Sequence, residues 1–431
     1  MSRVKRWELP SRFKVEKLKY NSYIKGRIGW QNLRSEEFTD EGPFLITGMH
    51  FEGGSVDWSA CYHVTEERYA IDSDIHVKVG DVLITKDGSI GKLAYVDALP
   101  GPACLNSHLL IIRPRANRGY VGRFLYYVLQ SPNFSTFIQE EQKGTTFYGI
   151  SQESIENFPA FFPSEEEQQA IANFLDKETA RIDELIAKKE RLIELLEQER
   201  LTATGALITR EDGPSKRLKF CILGIEQGWS PQCENREADP GEWGVLKVSA
   251  VNYGRFRPEE NKALPATELP LLEYEVHEGD VLMSRANTRA LLGAAVCVPP
   301  FTGRLLLCDK LYRIIPREDQ LIPQYIPLAL QTRYSRFQIE REATGASASM
   351  QNIGQDTVRN VVINAPTIYR QRVLITAVAE VEARIHSVAS RVVKAIDKLR
   401  EYRTALVSAA VTGQIDVRTY HKEPESVLET A

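Results

Sequence analysis

The chain has 431 residues and lacks the features that mark several large classes of protein. No apolar run approaches the roughly 18 residues that a membrane-spanning helix requires. The first ten residues carry charge but not the apolar core of a secretion signal. Six cysteines form no CxxC pair, so the ligand spacing typical of structural zinc is missing. These absences predict a cytoplasmic protein with reduced thiols, no membrane association and no metal site.

Motifs for catalysis are missing as well. The glycines of residues 88–92 stand too close together for a phosphate-binding loop, and Leu93 occupies the place of the Ser or Thr that holds magnesium. Residues 298–301 resemble the Asn-Pro-Pro-aromatic motif of amino-methyltransferases, but Val298 has no oxygen to accept a hydrogen bond from a target amino group. No Ser or Cys pairs with His in a nucleophile motif. We therefore expect a chain without catalytic residues and without a bound cofactor.

Composition is that of a globular protein of two or three domains, with 43% hydrophobic and 26% charged residues. The formal net charge of −4 is unevenly spread. Residues 1–30 contain nine basic and two acidic side chains, whereas residues 165–200 contain eleven acidic and six basic ones. Because charges act over a Debye length of about 8 Å, an acidic spacer can coexist with basic surfaces that bind nucleic acid.

An internal repeat of about 200 residues is the most informative feature of the sequence. Matching segments recur in the same order, with an offset that stays between 199 and 203 residues. The pairs include Lys17-Leu18-Lys19-Tyr20 with Arg217-Leu218-Lys219-Phe220, Gly80-Asp81-Val82-Leu83 with Gly279-Asp280-Val281-Leu282, Leu129-Gln130 with Leu330-Gln331, and Pro163 with Pro366. The two halves are therefore collinear copies.

Each copy contains short β-like runs separated by Gly and Pro turns, followed by a Pro and a long stretch that reads as helix. The pattern predicts an α+β protein with two mixed, β-rich α/β domains in tandem, separated by two long antiparallel coiled-coil helices. The expected boundaries are 1–164 for the first domain, 165–208 for the first helix, 209–366 for the second domain, 367–412 for the second helix and 413–431 for a tail.

A heptad pattern predicts how the helices pair. In the second helix, Val378, Ile385, Val392, Leu399 and Leu406 recur every seven residues. Transferred to the first helix, the pattern gives a seam that includes Ile182, Leu185, Leu192 and Leu196 and is interrupted by Glu178, Lys189 and Glu199. Packing of each helix on its own domain alone is the alternative.

Three groups of motifs resemble those of type I restriction-modification specificity subunits. They are residues 23–30, 41–48 and 80–92, the second version at 279–288, and the helix-start motif at 168–176 followed by Arg181-Ile182-Asp183. The second copy of the helix-start motif, residues 370–374, lacks the acidic run Glu165-Glu166-Glu167. The resemblance implies two target-recognition domains that read a split, asymmetric DNA site. It also implies two modification subunits, which carry S-adenosylmethionine, and restriction subunits, which use ATP and magnesium.

Candidate DNA contacts lie in the loops of each predicted recognition domain, where Gly allows close backbone approach and side chains offer donors to bases or phosphates. In the first domain they are Lys25, Arg27, Lys86, Ser89, Lys92, Lys143, Thr145, Thr146 and Tyr148. In the second they are Ser284, Arg285, Asn287, Thr288, Arg289, Ser347 and Ser349. For any single residue an ordinary hairpin turn is the alternative, whereas the residues taken as sets favour DNA contact.

Two other functions compete with this interpretation. One is a structural protein that dimerises through the second helix, although about 160 residues before each helix exceed what a scaffold needs. The other is the specificity part of a stand-alone methyltransferase, which the missing cofactor loop opposes.

Overall fold

The computed structural model describes residues 9–27, 37–115, 120–142, 149–347 and 350–417. The chain divides into two compact units, Met1–Lys189 with Lys394–Ala431, and Glu190–Val393. Each unit contains one β-rich domain and part of each of two long helices. The unit boundaries therefore fall inside the helices, whereas the division expected from the sequence kept each helix whole.

The first half of the chain alternates short strands and short helices before a helix of 46 residues. In chain order the elements are β1 Lys14–Lys17, α1 Leu18–Asn21, β2 Ser22–Lys25, β3 Thr39–Ile46, β4 Phe51–Glu52, β5 Ser55–Val56, β6 Tyr62–His63, α2 Glu66–Ala70, β7 Val82–Thr85, β8 Leu93–Tyr95, β9 Ala103–Leu105, β10 Leu109–Pro114, α3 Gly122–Gln130, α4 Pro132–Gln142, α5 Gln152–Asn157, β11 Pro159–Phe162 and α6 Glu165–Arg210.

The second half follows the same plan and ends in a helix of 44 residues. Its elements are β12 Ser215–Arg217, β13 Ile222–Gln227, β14 Trp243–Leu246, β15 Val251–Asn252, β16 Arg255–Phe256, β17 Asn261–Ala263, β18 Val281–Ser284, β19 Ala286–Asn287, β20 Ala295–Cys297, β21 Arg304–Leu306, β22 Leu311–Pro316, α7 Tyr325–Leu330, α8 Arg333–Arg341, β23 Thr344–Ser347, β24 Met350–Asn352, α9 Gln355–Asn360, β25 Val362–Asn364 and α10 Ile368–Val411.

The repeat seen in the sequence is also a repeat of sheet topology. An antiparallel sheet of order β2-β10-β7-β8 corresponds to β13-β22-β18-β20, and a mixed sheet of order β6-β3-β9 corresponds to β17-β14-β21. In each mixed sheet one pair of strands is parallel, β3 with β9 and β14 with β21. The pairs β1-β11 and β12-β25 bring the start of each domain back to the strand that precedes its long helix. Both domains are thus α+β.

The duplicated Gly-Asp-Val-Leu motif forms a turn and an Asp–Arg ion pair in each domain. Gly80 and Gly279 have φ of 92° and 88°, in the left-handed region that favours glycine. The Asp81 carboxylate is fully buried and accepts from the Arg113 guanidinium at 2.6 and 2.7 Å. In the second domain Asp280 forms an ion pair with Arg313 at 3.2 Å, and the Arg313 guanidinium donates to the Glu275 carbonyl at 2.5 Å. The motif therefore stabilises the fold, because the ion pair ties β7 to β10 and β18 to β22.

A buried glutamine anchors the first turn of each long helix. Gln168 donates to the Pro163 carbonyl at 2.9 Å and accepts from the Val121 backbone N–H at 2.9 Å. Gln371 donates to the Pro366 carbonyl at 2.8 Å and accepts from the Ile322 N–H at 2.9 Å. Because both side chains are fully buried, these hydrogen bonds fix the helix start on its domain.

An ion pair beside each anchor has its charges exchanged between the copies. In the first copy Arg12 donates to Glu167 at 2.8–3.1 Å. In the second copy Arg370 donates to Glu211 at 2.7–2.8 Å. The acidic run missing from the second helix-start motif is therefore replaced by a basic side chain whose partner has also changed sign.

The two helices contact each other within each unit, but the seam of α6 differs from the predicted one. Ile182 is 4% exposed and shares a core with Leu406, whereas Leu185 and Leu192 are each 40% exposed. The prediction for Leu185 and Leu192 was wrong. The half-buried positions lie one residue later, at Ile186 and Ile193.

In α10, Val378, Val392 and Leu406 are buried, and Ile385 and Leu399 are half-buried. Positions four residues after these also belong to the seam, as at Ile396 and Ala410, which are buried. Several of these positions are charged: Arg200 donates to Glu382 at 2.6 Å, and Arg403 donates to Asp183 at 2.9 Å. A search for apolar residues alone therefore misplaces the seam.

The displaced seam makes a stability prediction for α6. Ile182→Ala should lower the free energy of unfolding by about 2–5 kcal/mol, because it removes buried methyl groups from the core. Leu185→Ala, three positions away and 40% exposed, should change it by about 0.5 kcal/mol or less. Chemical denaturation of the two variants measures both values. Equal losses would contradict this seam.

Candidate nucleic-acid interface

A cavity of about 540 Å³ opens at the carboxyl ends of the parallel strands β3 and β9, and we call it the first groove. Thr47 and Met49 follow β3, Asn106 and His108 follow β9, and Ser89 and Lys92 belong to the loop after β7. Parallel pairing places the residues that follow the two strands at one sheet edge. Three segments distant in sequence therefore meet in one groove.

The loop after β7 is held closed by Thr85 and two glycines. Gly88 and Gly91 have φ of 66° and 80°, so the chain turns twice in the left-handed region. The buried Thr85 hydroxyl accepts from the Lys92 backbone N–H at 2.9 Å. The turn leaves Ser89 and Lys92 exposed at the groove.

Polar groups in the first groove are already partly engaged. His108 Nδ1 lies 2.5 Å from Asp87 Oδ1, and the His108 backbone N–H donates to Asn106 Oδ1 at 3.0 Å. Lys92 Nζ donates to the Gly48 carbonyl at 3.1 Å, which leaves two of its three protons for a ligand. Met49 is 75% exposed beside these groups. The groove thus offers donors, acceptors and an apolar contact.

A second groove, a cavity of about 520 Å³, occupies the matching place at the ends of β14 and β21. Lys247 follows β14, Lys310 precedes β22, and Lys262 lies on β17 beside β14. Backbone hydrogen bonds establish the match: the Lys86 N–H donates to the His108 carbonyl at 2.9 Å, and the Arg285 N–H donates to the Lys310 carbonyl at 3.0 Å. Lys310 therefore stands where His108 stands in the first domain.

The floor of the second groove includes Cys308, which is 4% exposed. Burial raises the pKa of its thiol to about 11, so the thiol stays protonated and uncharged at neutral pH. Beside it, Asp309 accepts a hydrogen bond from the Ser230 hydroxyl.

Each domain brings two of its predicted loops together. The Ile150 N–H donates to the Lys86 carbonyl at 2.7 Å, and the Ile353 N–H donates to the Arg285 carbonyl at 3.0 Å. In the second domain β19 pairs with β24 of the β23–β24 hairpin. Lys143, Thr145, Thr146, Tyr148 and Ser349 lie outside the described residues. Ser347 ends β23, and its side chain also lies outside the description.

Two of the residues predicted to contact DNA are buried, so that prediction was wrong for them. Arg27 is 3% exposed, its guanidinium donates to the Leu105 carbonyl at 3.0 Å, and burial lowers its pKa. Ser284 is fully buried at the end of β18, where its hydroxyl accepts from the Asn287 amide at 3.3 Å. Neither side chain reaches the surface, because each faces the interior between its sheets.

The remaining candidates differ in their availability. Lys25 forms an ion pair with Asp74 at 3.4 Å, and Arg289 lies 3.8 Å from Glu340. Arg285 is half-buried over the Tyr312 ring and donates to the Asp309 carbonyl at 3.2 Å, at the border of the second groove. Thr288 is exposed.

Comparison with known proteins identifies this arrangement. Residues 33–195 match the family model of the type I restriction modification DNA specificity domain. The matched stretch, less than half of the chain, is similar to this family. It is 32% identical over 197 residues to the type I restriction enzyme EcoEI specificity subunit of Escherichia coli, an alignment that covers 45% of this chain and only 33% of that relative.

A second relative and a solved structure cover more of the chain. The EcoKI specificity subunit of Escherichia coli strain K12 is 21% identical over 400 residues, which are 89% of this chain and 84% of the relative. A chain from a solved type I restriction-modification system has a TM-score of 0.65 and 16% identity, and covers 95% of this chain and 100% of that one. These matches bear out the resemblance recognised in the sequence, to the specificity subunits of type I restriction-modification systems.

Sequence reasoning missed most of the groove. Five groove residues carry no local motif and reach the grooves only because the strands before or beside them pair: Asn106, His108, Lys247, Lys262 and Lys310. Within the described ranges no cluster of three His, Cys, Asp or Glu side chains could hold a metal ion. Of the helices described, none is long and apolar enough to cross a membrane.

Removal of a groove lysine should weaken DNA binding. Lys92→Ala should cost about 1–3 kcal/mol on the cognate sequence if the ammonium group contacts a base. A phosphate contact would instead lower affinity on every sequence and flatten the salt slope by about one unit. Fluorescence anisotropy at several salt concentrations measures both effects. Lys188→Ala, the same change of charge on the exposed face of α6, is the control. Equal binding by the two variants would exclude Lys92 from the interface.

Proposed function

We propose that this subunit reads a split, asymmetric DNA target, with one half-site for each domain. The observation that carries the proposal is the pair of grooves at matching sheet edges with different side chains. A shared backbone plan suits two segments of the same duplex, since B-DNA has a nearly uniform backbone. Different linings suit different sequences, since base edges differ in their donors and acceptors. Two unlike half-sites follow.

We propose that α6 and α10 form an antiparallel coiled coil that fixes the distance between half-sites. In the second unit Arg200 contacts Glu382, and Arg370, near the start of α10, contacts Glu211, just after the end of α6. Residue numbers increase along α6 in the direction in which they decrease along α10, so the two helices run antiparallel. Charged groups at such seams can specify one register among several. A helix of 46 residues is about 69 Å long and stiff enough to act as a spacer.

The proposed partners are those of a type I system. Two modification subunits would supply S-adenosylmethionine and methylate adenine, and restriction subunits would supply ATP- and magnesium-dependent cleavage. The subunit would position both on its target without taking part in the chemistry. The two copies of the helix start resemble each other in backbone and differ in charge, at Glu167 and Arg370. They therefore offer two related surfaces for two copies of one partner.

The division of labour is tested with the purified chain alone. Incubated with labelled S-adenosylmethionine and DNA of mixed sequence, it should transfer no methyl groups, because it lacks the motifs that bind this cofactor. Addition of the modification subunits should restore transfer at one split motif. Methylation by the chain on its own would refute the proposal.

The spacer is tested by removal of one heptad from each helix, residues 186–192 and 393–399. Seven residues shorten a helix by about 10.5 Å, which corresponds to about 3 bp. The gap between half-sites should shrink accordingly while the half-sites keep their sequences. Sequencing of methylated DNA from cells that express the complex measures the motif. Leu192→Ala, which leaves helix length unchanged, is the control and should preserve the gap. A gap that persists after the deletion would exclude the helices as the spacer.

A further inference from the structure

The two grooves differ most in their charge. The first groove is lined by one lysine and one aspartate, Lys92 and Asp87, so their charges cancel. The second is lined by three lysines, Lys247, Lys262 and Lys310, and one aspartate, so its balance is +2. The difference arises although the two sheet edges share one strand order, β6-β3-β9 and β17-β14-β21. It therefore concerns what each groove binds and not how each domain folds.

Not all lysines of the second groove form ion pairs or hydrogen bonds within the protein. Lys247 lies 3.6 Å from Glu260. In the described part of the chain, Lys262 and Lys310 have neither an ion pair nor a side-chain hydrogen bond to another residue. Asp309, the only acid of this lining, is engaged by the Ser230 hydroxyl and its own backbone N–H donates to Ser230 Oγ at 3.1 Å. Ammonium groups without partners are available to a ligand rich in acceptors.

We propose that the second groove reads guanine, with Lys310 and Lys262 as the reading side chains. The inference rests on the proposed function, since it names the base that one of its two heads recognises. A lysine ammonium only donates, and guanine is the base with two acceptors, O6 and N7, on its major-groove edge. Adenine presents a donor beside N7, and cytosine presents a donor, so both fit a cluster of ammonium groups less well.

The first groove provides the contrast. At the position of Lys310 it has His108, held by Asp87, and beside it Asn106, whose side-chain type is the one that suits N7 and N6 of adenine. Met49 adds an exposed apolar group of the kind that contacts the methyl group of thymine. The half-site read by the second domain should therefore contain G·C pairs that are recognised by Lys310 and Lys262. Recognition of the half-site read by the first domain should not depend on Lys310.

The experiment uses the complex of this chain with its modification subunits. Binding is measured on a randomised DNA library, and the methylated motif is mapped by sequencing. Lys310→Ala should relax one G·C pair in one half-site, with a roughly tenfold or greater loss of discrimination at that pair, and should leave the other half-site unchanged. Lys310→Arg should retain the preference, because arginine also reads guanine O6 and N7. Lys262→Ala should relax a neighbouring G·C pair.

Controls separate this inference from folding and from the proposed function. Lys310 is exposed, so thermal unfolding of the variants should match that of the parent chain. A split motif in which Lys310→Ala relaxes an A·T pair, or changes nothing, overturns the guanine assignment alone. The assignment also falls if the variant weakens binding to all sequences and flattens the salt slope, which marks a phosphate contact. A complex that binds every sequence equally would instead refute the proposed function.

Discussion

A hydrogen-bonded glutamine beneath the first turn of each long helix is the interaction on which the other features depend. Gln168 and Gln371 each accept from a backbone N–H of the domain and donate to the proline carbonyl before the helix. Loss of either side chain would leave a buried N–H and a buried carbonyl unsatisfied, which costs about 1–3 kcal/mol for each group. A helix whose direction at its first turn is fixed transmits that direction along many turns. The glutamine thereby orients the helix on its own domain.

Beside each glutamine an ion pair occupies the same place in both copies, but the acidic and basic partners are exchanged. Arg12 with Glu167 in one copy becomes Glu211 with Arg370 in the other. Within the helix pairs, Arg403 with Asp183 in one unit matches Arg200 with Glu382 in the other. Arg200 is 6% exposed and also donates to the Tyr253 carbonyl at 3.0 Å, so its removal would leave Glu382 and a carbonyl without their partner. Because Glu382 and Asp183 are themselves partly exposed, these pairs add little to stability, and a role in the choice of one register fits their placement on the seam.

The sequence predicted the features that depend on local pattern. The repeat, the α+β class and the start of each long helix after Pro163 and Pro366 follow from turn residues, strand-like runs and helix periodicity. The sequence-based prediction of the seam was wrong where a charged side chain occupies a seam position that the heptad pattern expects to be apolar. The apolar heptad of α10, transferred to α6, assigned Leu185 and Leu192 to the seam, whereas the structure has Ile186, Ile193 and the buried Arg200 there. Arg27 and Ser284 were taken as surface groups because their types are usually exposed, and only the three-dimensional pairing of β9 and β18 with their neighbours buries them.

The groove could not be predicted for a related reason. Its walls come from the ends of parallel strands that are far apart in sequence, and a strand of three residues such as β9 gives almost no periodic signal. What the fold requires at that edge is backbone: Gly88 and Gly91 to turn the chain, and the hydrogen bonds from Lys86 and Arg285 that seat the next strand. The side chains of His108 and Lys310 contribute nothing to those hydrogen bonds, since only their carbonyls are used. A position that the fold holds through its backbone is free to change its side chain, and this separation is what the proposed reading of two different half-sites by two copies of one domain requires.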